Sequence, residues 1–349
     1  MKSRNNIVEL MRFLFSILVV GYHVQMSMNY SEINFFENGA VAVEFFFLIS
    51  GYFMARSIER LTPDENVKIG KSTLRFMAKK VKGILPIHIT ANIVMLFLIL
   101  IFETSAFSSK LIKGMPGLFF LQIAPLWNES FNEALIVPEW YLSAMLLSMV
   151  IIFPVVLFLR RRFKAVPASF GALGVIGGFF LIVGVILKGH IQQNYIYAVR
   201  AAAELILGML TYYLSVVVSK HEYRKAGLKG LKIAELTGYF LPVILGLLPV
   251  SVSLQPLCMI VTVVGTFIAI TVTFSAKGMQ ITNDKVNSVF GYLGTISLPI
   301  YLIHPVMLTL TDYIAPGMPL GVKMMTVFLA TILLSIAYQF AVKNRKVKG

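Results

Sequence analysis

The chain has 349 residues, of which 57% are hydrophobic and 13% charged, and its mean hydropathy is +0.80. These values exclude an ordinary water-soluble domain, in which about 25% of residues are charged. The formal charge of +15 does not predict a nucleic-acid partner, because membrane proteins concentrate Lys and Arg in cytoplasmic loops. The single cysteine, Cys258, excludes an intramolecular disulfide and a metal site of the zinc-finger type.

Apolar runs along the chain predict an all-α fold, a polytopic transmembrane helical bundle of about ten spans. A helix needs roughly 20 predominantly apolar residues to cross a hydrocarbon core of about 30 Å. The predicted spans cover 7–26, 40–56, 84–103, 138–159, 170–187, 198–218, 234–251, 256–274, 289–313 and 320–342. The sequence shows no internal repeat, and we predict a single integral-membrane domain over 1–349.

The distribution of basic residues predicts the orientation of the bundle. With ten spans both termini lie on one side, and that side holds 25 of the 31 Lys and Arg residues. The opposite side carries only Lys110, Lys113 and Lys188. Both termini are therefore predicted to be cytoplasmic. The longest external loop, 104–137, contains an apolar stretch too short to span, which indicates either an interfacial or re-entrant segment or an aromatic anchor.

Ionisable residues inside membrane spans are costly and are functional candidates by default. In the first span Arg12 and His23 are eleven residues apart, which places them on nearly one helix face and about 16 Å apart along the axis. Glu44 enters the second span at about the depth of His23, and a carboxylate bonded to one imidazole nitrogen raises the basicity of the other. We therefore predict that His23 and Glu44 form a catalytic dyad. The alternatives are that Arg12 snorkels or pairs with Glu9, and that His23 is an interfacial histidine.

Two further groups lie towards the external side of later spans. Glu139 and Trp140 open the fourth span, and Tyr301 and His304 lie in the outer half of the ninth. We predict that these four residues bind an acceptor. A histidine that merely bonds within the bundle is the alternative for His304.

A cluster of cations precedes the third span, on the predicted cytoplasmic side. Such a cluster binds either the phosphates of a nucleotide-like donor or anionic lipid headgroups, and its spacing does not decide between them. Its members are Arg75, Lys79, Lys80 and Lys82.

The ordered motifs together resemble the integral-membrane acyltransferase-3 family. Arg12, ten further residues and His23 are followed in order by GAVAVEFFFLISGYFM, KKVKGILP, EWYLSA and YLIHP. The resemblance implies a membrane-bound O-acyltransferase that moves an acyl group, usually acetyl, from cytoplasmic acyl-coenzyme A to a hydroxyl of an extracytoplasmic cell-envelope glycan. It also implies that His23 is catalytic and that Arg12 assists in donor binding or catalysis. The chain departs from the family at Lys80 and Gly83, where members often carry two arginines.

The resemblance implies an acyltransferase that acts on groups other than aminoacyl groups, in the cell membrane. Acetyl-coenzyme A is the expected donor substrate, held at its nucleotide end by the cation cluster, and no permanent cofactor or metal is expected. The expected partners are the acyl-coenzyme A donor, the glycan, the lipid bilayer and a separate extracytoplasmic transferase for any second transfer. A competing interpretation is a proton-coupled transporter or exporter of a small polar metabolite, with Glu44, His23 and Glu204 as a proton relay. An inactive scaffold or sensor is a third.

Overall fold

A computed structural model describes residues 5–28, 35–61, 68–124, 134–163, 172–179 and 193–348. Within these ranges the regular structure is helical and contains no strand. The helices are α1 (Asn6–Ser27), α2 (Ala42–Leu61), α3 (Ile69–Phe102), α4 (Phe107–Leu118), α5 (Trp140–Phe163), α6 (172–179), α7 (Gln193–Lys220), α8 (Lys225–Leu247), α9 (Gln255–Phe274), α10 (Asp284–Ile314) and α11 (Leu320–Lys348).

Nine helices of the described part are long and apolar enough to cross a membrane, which confirms the polytopic helical bundle. The predicted fifth span, 170–187, lies outside the described residues except for 172–179, and Lys188 also lies outside them. In the predicted external loop, α4 has 12 residues and is too short to span, while 125–133 are not described. The cytoplasmic location of the termini stays a prediction.

Helix α3 is longer than the apolar run that predicts it. It begins at Ile69 rather than at 84, so the cation cluster lies on a helix and not in a loop. Lysine and arginine are good helix formers, and a helix needs apolar residues only where it is in lipid. An apolar run therefore locates the membrane-embedded part of a helix and not its start.

The chain forms two compact units. Unit 1 comprises Met1–Phe45, Ile93–Thr104 and Tyr223–Gly349, and unit 2 comprises Phe46–Asn92 and Ser105–Glu222. The prediction of a single domain over 1–349 stays a prediction.

In unit 1, helices α1 and α10 run parallel. Near their beginnings, Asn6 Nδ2 donates to Asn287 Oδ1 at 2.7 Å. One turn further, Glu9 packs on Gly294 so closely that an added Cβ would lie 1.9 Å from Glu9 Oε2. An apolar cluster binds both helices to α11; its buried members are Val20, Val24, Ile296, Ile300, Leu320 and Val327. This packing gives the polar groups along α1 and α10 a rigid support.

In unit 2, helices α2 and α7 approach at two glycines. A Cβ on Gly51 would lie 2.1 Å from the carbonyl oxygen of Leu205, and one on Gly208 would lie 2.1 Å from that of Leu48. Small residues allow this backbone contact, which is common where helices pack in membranes.

A second contact joins α2 and α7 to α5. Arg160 donates from Nε and Nη2 to the two oxygens of Glu59 at 2.5 and 2.7 Å, and the Tyr213 hydroxyl donates to Glu59 Oε1 at 2.7 Å. A bidentate pair of this kind fixes both position and orientation.

Candidate active site

Two histidines of unit 1 face each other across the α1 and α10 pair. His304 Nε2 lies 3.3 Å from His23 Nδ1, and the ring centroids are 5.0 Å apart. His304 is fully buried, whereas His23 is partly accessible. The structure therefore brings together two residues that are 281 positions apart in the chain.

Backbone carbonyls assign the proton positions on the two rings. His23 Nδ1 lies 2.9 Å from the carbonyl oxygen of Val19, and His304 Nδ1 lies 3.3 Å from that of Ile300. Because a carbonyl oxygen only accepts, each Nδ1 carries the hydrogen and donates. The His23 Nδ1 hydrogen is thus shared between Val19 and His304 Nε2. In this tautomer the lone pair of His23 is on Nε2, which is the atom that a general base needs.

Aromatic rings border the histidine pair. The ring of Tyr22 meets His23 edge-on at 5.1 Å, and that of Tyr301 meets His304 at 6.0 Å. Tyr301 is 5% exposed. Its predicted contact with an acceptor stays a prediction, as does that of His304, which the structure places beside the predicted base.

Arg12 lies on α1 with His23, in one unbroken helix, as the spacing predicts. Its Nη1 is 3.6 Å from Glu9 Oε2, so the predicted alternative pairing with Glu9 is confirmed. Its Nε is buried and has no hydrogen-bond partner among the described residues, and 38% of its side chain is exposed. Arg12 therefore retains a donor for a ligand.

Glu44 lies in the first turn of α2 and is fully buried. The Nδ1 of His23 already contacts the Val19 carbonyl oxygen and His304 Nε2. These two acceptors orient the His23 ring, which is the role predicted for the Glu44 carboxylate. The dyad of His23 with Glu44 stays a prediction.

Unit 2 contains a buried histidine that sequence reasoning missed. His88 Nδ1 lies 2.8 Å from Glu139 Oε1, and its Nε2 lies 3.1 Å from the carbonyl oxygen of Leu118 at the end of α4. Asn92 Nδ2 also donates to Glu139 Oε1 at 2.8 Å, and the Phe120 ring stacks on His88 at 4.1 Å. The only sequence signal is a histidine one turn before an asparagine within an apolar span.

The second carboxylate oxygen of Glu139 remains available. Oε2 is buried without a hydrogen-bond partner among the described residues, and so is Asn92 Oδ1. These two oxygens could accept hydrogen bonds from a hydroxyl of the acceptor substrate. The predicted role of Glu139 in binding that substrate stays a prediction.

Trp140 has different neighbours from Glu139. Its ring stacks on Tyr197 with centroids 4.1 Å apart, and the guanidinium carbon of Arg200 lies 5.7 Å from its centroid. Arg200 Nε is 3.4 Å from Glu204 Oε1, one turn along α7. A predicted acceptor residue is thus part of a cation–π group within unit 2.

The predicted donor cations divide between two faces of α3. Arg75, Lys79 and Lys82, spaced by four and three residues, share one exposed face, whereas Lys80 is half-buried on another. That exposed face then continues into apolar side chains of the spanning part, at Ile89, Ile93 and Phe97. We therefore expect the exposed stripe of Arg75, Lys79 and Lys82 to lie at the lipid interface, so donor phosphates and lipid headgroups remain its two possible ligands.

One known family matches the chain. A family model described as an acyltransferase domain matches residues 5–340. The chain belongs to the acyltransferase-3 family. Neither the curated proteins nor the solved structures contain a match to it. As an acyltransferase-3 member it is a multi-pass integral membrane acyltransferase, and the matched range includes all the predicted site residues.

Proposed function

We propose that this acyltransferase-3 protein is an O-acetyltransferase that uses His23 as its general base. The observation that carries the proposal is the histidine pair. His23 Nδ1 is held by the Val19 carbonyl and His304 Nε2, so that His23 Nε2 is left to accept a proton. A family that transfers acyl groups needs such a base to activate a poor nucleophile.

The proposed step is direct transfer from a thioester to a hydroxyl. The acceptor oxygen attacks the thioester carbonyl carbon while its proton moves to His23 Nε2. The tetrahedral intermediate then breaks its carbon–sulfur bond, giving an O-acyl ester, and the departing thiolate takes the proton from His23. The positive charge on His23 between these events is stabilised by the acceptors Val19 O and His304 Nε2.

The proposed donor is cytoplasmic acetyl-coenzyme A. Arg12 lies about 16 Å along α1 from His23, a separation that suits a pantetheine arm, and its unpartnered Nε is a donor for a carbonyl or phosphate oxygen. For the phosphates of the nucleotide we propose the four cations of α3, of which Lys80 lies apart from the exposed stripe.

The proposed acceptor is a hydroxyl of an extracytoplasmic cell-envelope glycan, and the proposed location is the cell membrane. The proposal is supported by the family and by two buried oxygens of unit 2, Glu139 Oε2 and Asn92 Oδ1. These oxygens suit a hydroxyl, because a hydroxyl can donate a hydrogen bond to them. A second transfer beyond this step would need a separate extracytoplasmic partner.

The test is label transfer by the reconstituted full chain. Vesicles containing the wild type, His23→Ala or His221→Ala receive radiolabelled acetyl-coenzyme A and extracted cell-envelope glycans, and label in the glycan is counted. His221 is exposed beyond the end of α7 and is the matched control. We expect the wild type and His221→Ala to transfer label, and His23→Ala to lose about 10²- to 10⁴-fold. Equal label after His23→Ala contradicts the assigned base, and no label from the folded wild type contradicts acetyl transfer.

A further inference from the structure

A buried lysine lies at the end of the α1 and α10 pair where both helices finish. Lys323, in the first turn of α11, donates from Nζ to Ser27 Oγ at 3.0 Å and to Asp312 Oδ1. Its third contact is the sulfur of Met28 at 3.6 Å, which is a weak acceptor. Only 4% of the lysine side chain is exposed.

The position of this cluster relates it to the histidine pair of the same unit. Ser27 lies four residues after His23, so it is on the same face of α1 and about 6 Å further along the axis. Asp312 lies eight residues after His304 on α10, about 12 Å further along the axis, and Lys323 links its carboxylate to Ser27. The cluster is therefore one to two turns outward of the proposed base, at the predicted external end of unit 1.

Lys323 Nζ makes three contacts within the protein, whereas Asp312 is contacted at only one of its two carboxylate oxygens among the described residues. A buried ammonium is costly unless it is paired, and Asp312 supplies the charge partner. Asp312 itself has 44% of its side chain exposed, and no contact engages its Oδ2 among the described residues. One carboxylate oxygen is thus fixed by Lys323 while the other is presented to ligand or solvent.

The charge balance of the cluster selects among ligand classes. The ammonium and the carboxylate cancel, and a phosphate or carboxylate ligand would be repelled by the exposed oxygen of Asp312. A neutral hydroxyl donates a charge-assisted hydrogen bond to a carboxylate oxygen and is not repelled by its charge.

We propose that Asp312, fixed by Lys323, is an acceptor subsite that binds a hydroxyl of the sugar residue next to the one activated by His23. Asp312 lies about 12 Å along α10 from His304, which is more than one sugar ring, so two linked residues of a glycan reach both Asp312 and His23. The proposal rests on the proposed function, because it names the neutral polyhydroxylated acceptor of that same site. Asp312 acts here by binding, and Lys323 acts by positioning Asp312.

Binding without acyl donor tests this subsite. Full-length protein in lipid nanodiscs is mixed with the methyl glycosides of glucose, galactose, mannose and N-acetylglucosamine, and binding is measured by saturation-transfer NMR. The variants are Asp312→Asn, which keeps the shape and an acceptor for Lys323, Lys323→Met, and the charge swap Lys323→Asp with Asp312→Lys. Lys343→Met, at an exposed position of α11, is the matched control.

We expect at least one glycoside to bind the wild type and Lys343→Met, and to bind Asp312→Asn and Lys323→Met about tenfold or more weakly. The charge swap restores the ion pair but not the outward carboxylate, so we expect it to bind as weakly as the single variants. Wild-type binding by Asp312→Asn or by the charge swap overturns the subsite, as does failure of every glycoside to bind the wild type. Glycoside binding that depends on Asp312, in a protein that transfers no label, contradicts the proposed function alone.

Discussion

Removing the His304 imidazole tests how His23 is oriented. In His304→Ala, the hydrogen on His23 Nδ1 loses one of its two acceptors, at 3.3 Å, and keeps the Val19 carbonyl at 2.9 Å. Val19 lies on the same helix one turn earlier, so it remains in place and preserves the tautomer. The variant therefore keeps the proposed base with the correct lone pair but loses part of the stabilisation of its charged form.

The size of the loss follows from this single contact. A hydrogen bond to a charged group contributes about 1.5–3 kcal/mol, and a shared bond at 3.3 Å belongs at the lower limit. A loss of about 1.5 kcal/mol lowers kcat roughly tenfold. Removing the proposed base itself is expected to cost about 10²- to 10⁴-fold, so His304→Ala is expected to be less impaired than His23→Ala.

Steady-state label transfer in vesicles measures this difference. We expect His304→Ala to lower kcat while the KM for acetyl-coenzyme A stays near the wild-type value, and His304→Gln, whose amide oxygen accepts a hydrogen bond, to recover part of the loss. His221→Ala again serves as the control. A folded His304→Ala protein as inactive as His23→Ala would refute the reasoning, because His304 would then be the base. A wild-type rate would refute it as well, because the 3.3 Å contact would have no catalytic consequence.

Gly51→Ala is expected to destabilise the protein by about 1–3 kcal/mol, measured by thermal unfolding in detergent, because its Cβ would meet backbone that cannot move aside; unchanged stability contradicts the close approach. His88→Leu leaves the buried carboxylate of Glu139 without its imidazole partner and is expected to cost about 3–5 kcal/mol in the same assay, with recovery in the double variant with Glu139→Leu. Replacing Lys79 and Lys82 by Gln is expected to raise the KM for acetyl-coenzyme A; an unchanged KM with a lost response to anionic lipid would assign the stripe to headgroups.

The nine spans of the described part and the placement of the first-span residues could be predicted from the sequence. Apolar length locates membrane-embedded helices, and helical periodicity is enough to place Arg12 and His23 on one face of α1. The start of α3 was not within reach, because its first turns are charged and helix propensity alone does not reveal a boundary.

The partners of the buried polar groups were out of reach for a different reason. His304 meets His23 across 281 positions, and His88 meets Glu139 across 51. Such pairs form only because particular helices become neighbours, and periodicity within one helix contains no information about which helix lies beside it. The same limit applies to Glu44. Its position along α2 predicts its depth in the membrane but not which residue it contacts.

Sealed vesicles provide the most direct measurement of the central claim, which is His23-dependent acyl transfer to the opposite side of the membrane. Cell-envelope glycan is enclosed within proteoliposomes, radiolabelled acetyl-coenzyme A is added only outside, and label in the enclosed glycan is counted for the wild type and His23→Ala. The account predicts label in the enclosed glycan with the wild type and a loss of about 10²- to 10⁴-fold with His23→Ala. Enclosed glycan without label, or label that is equal in the two proteins, would contradict it.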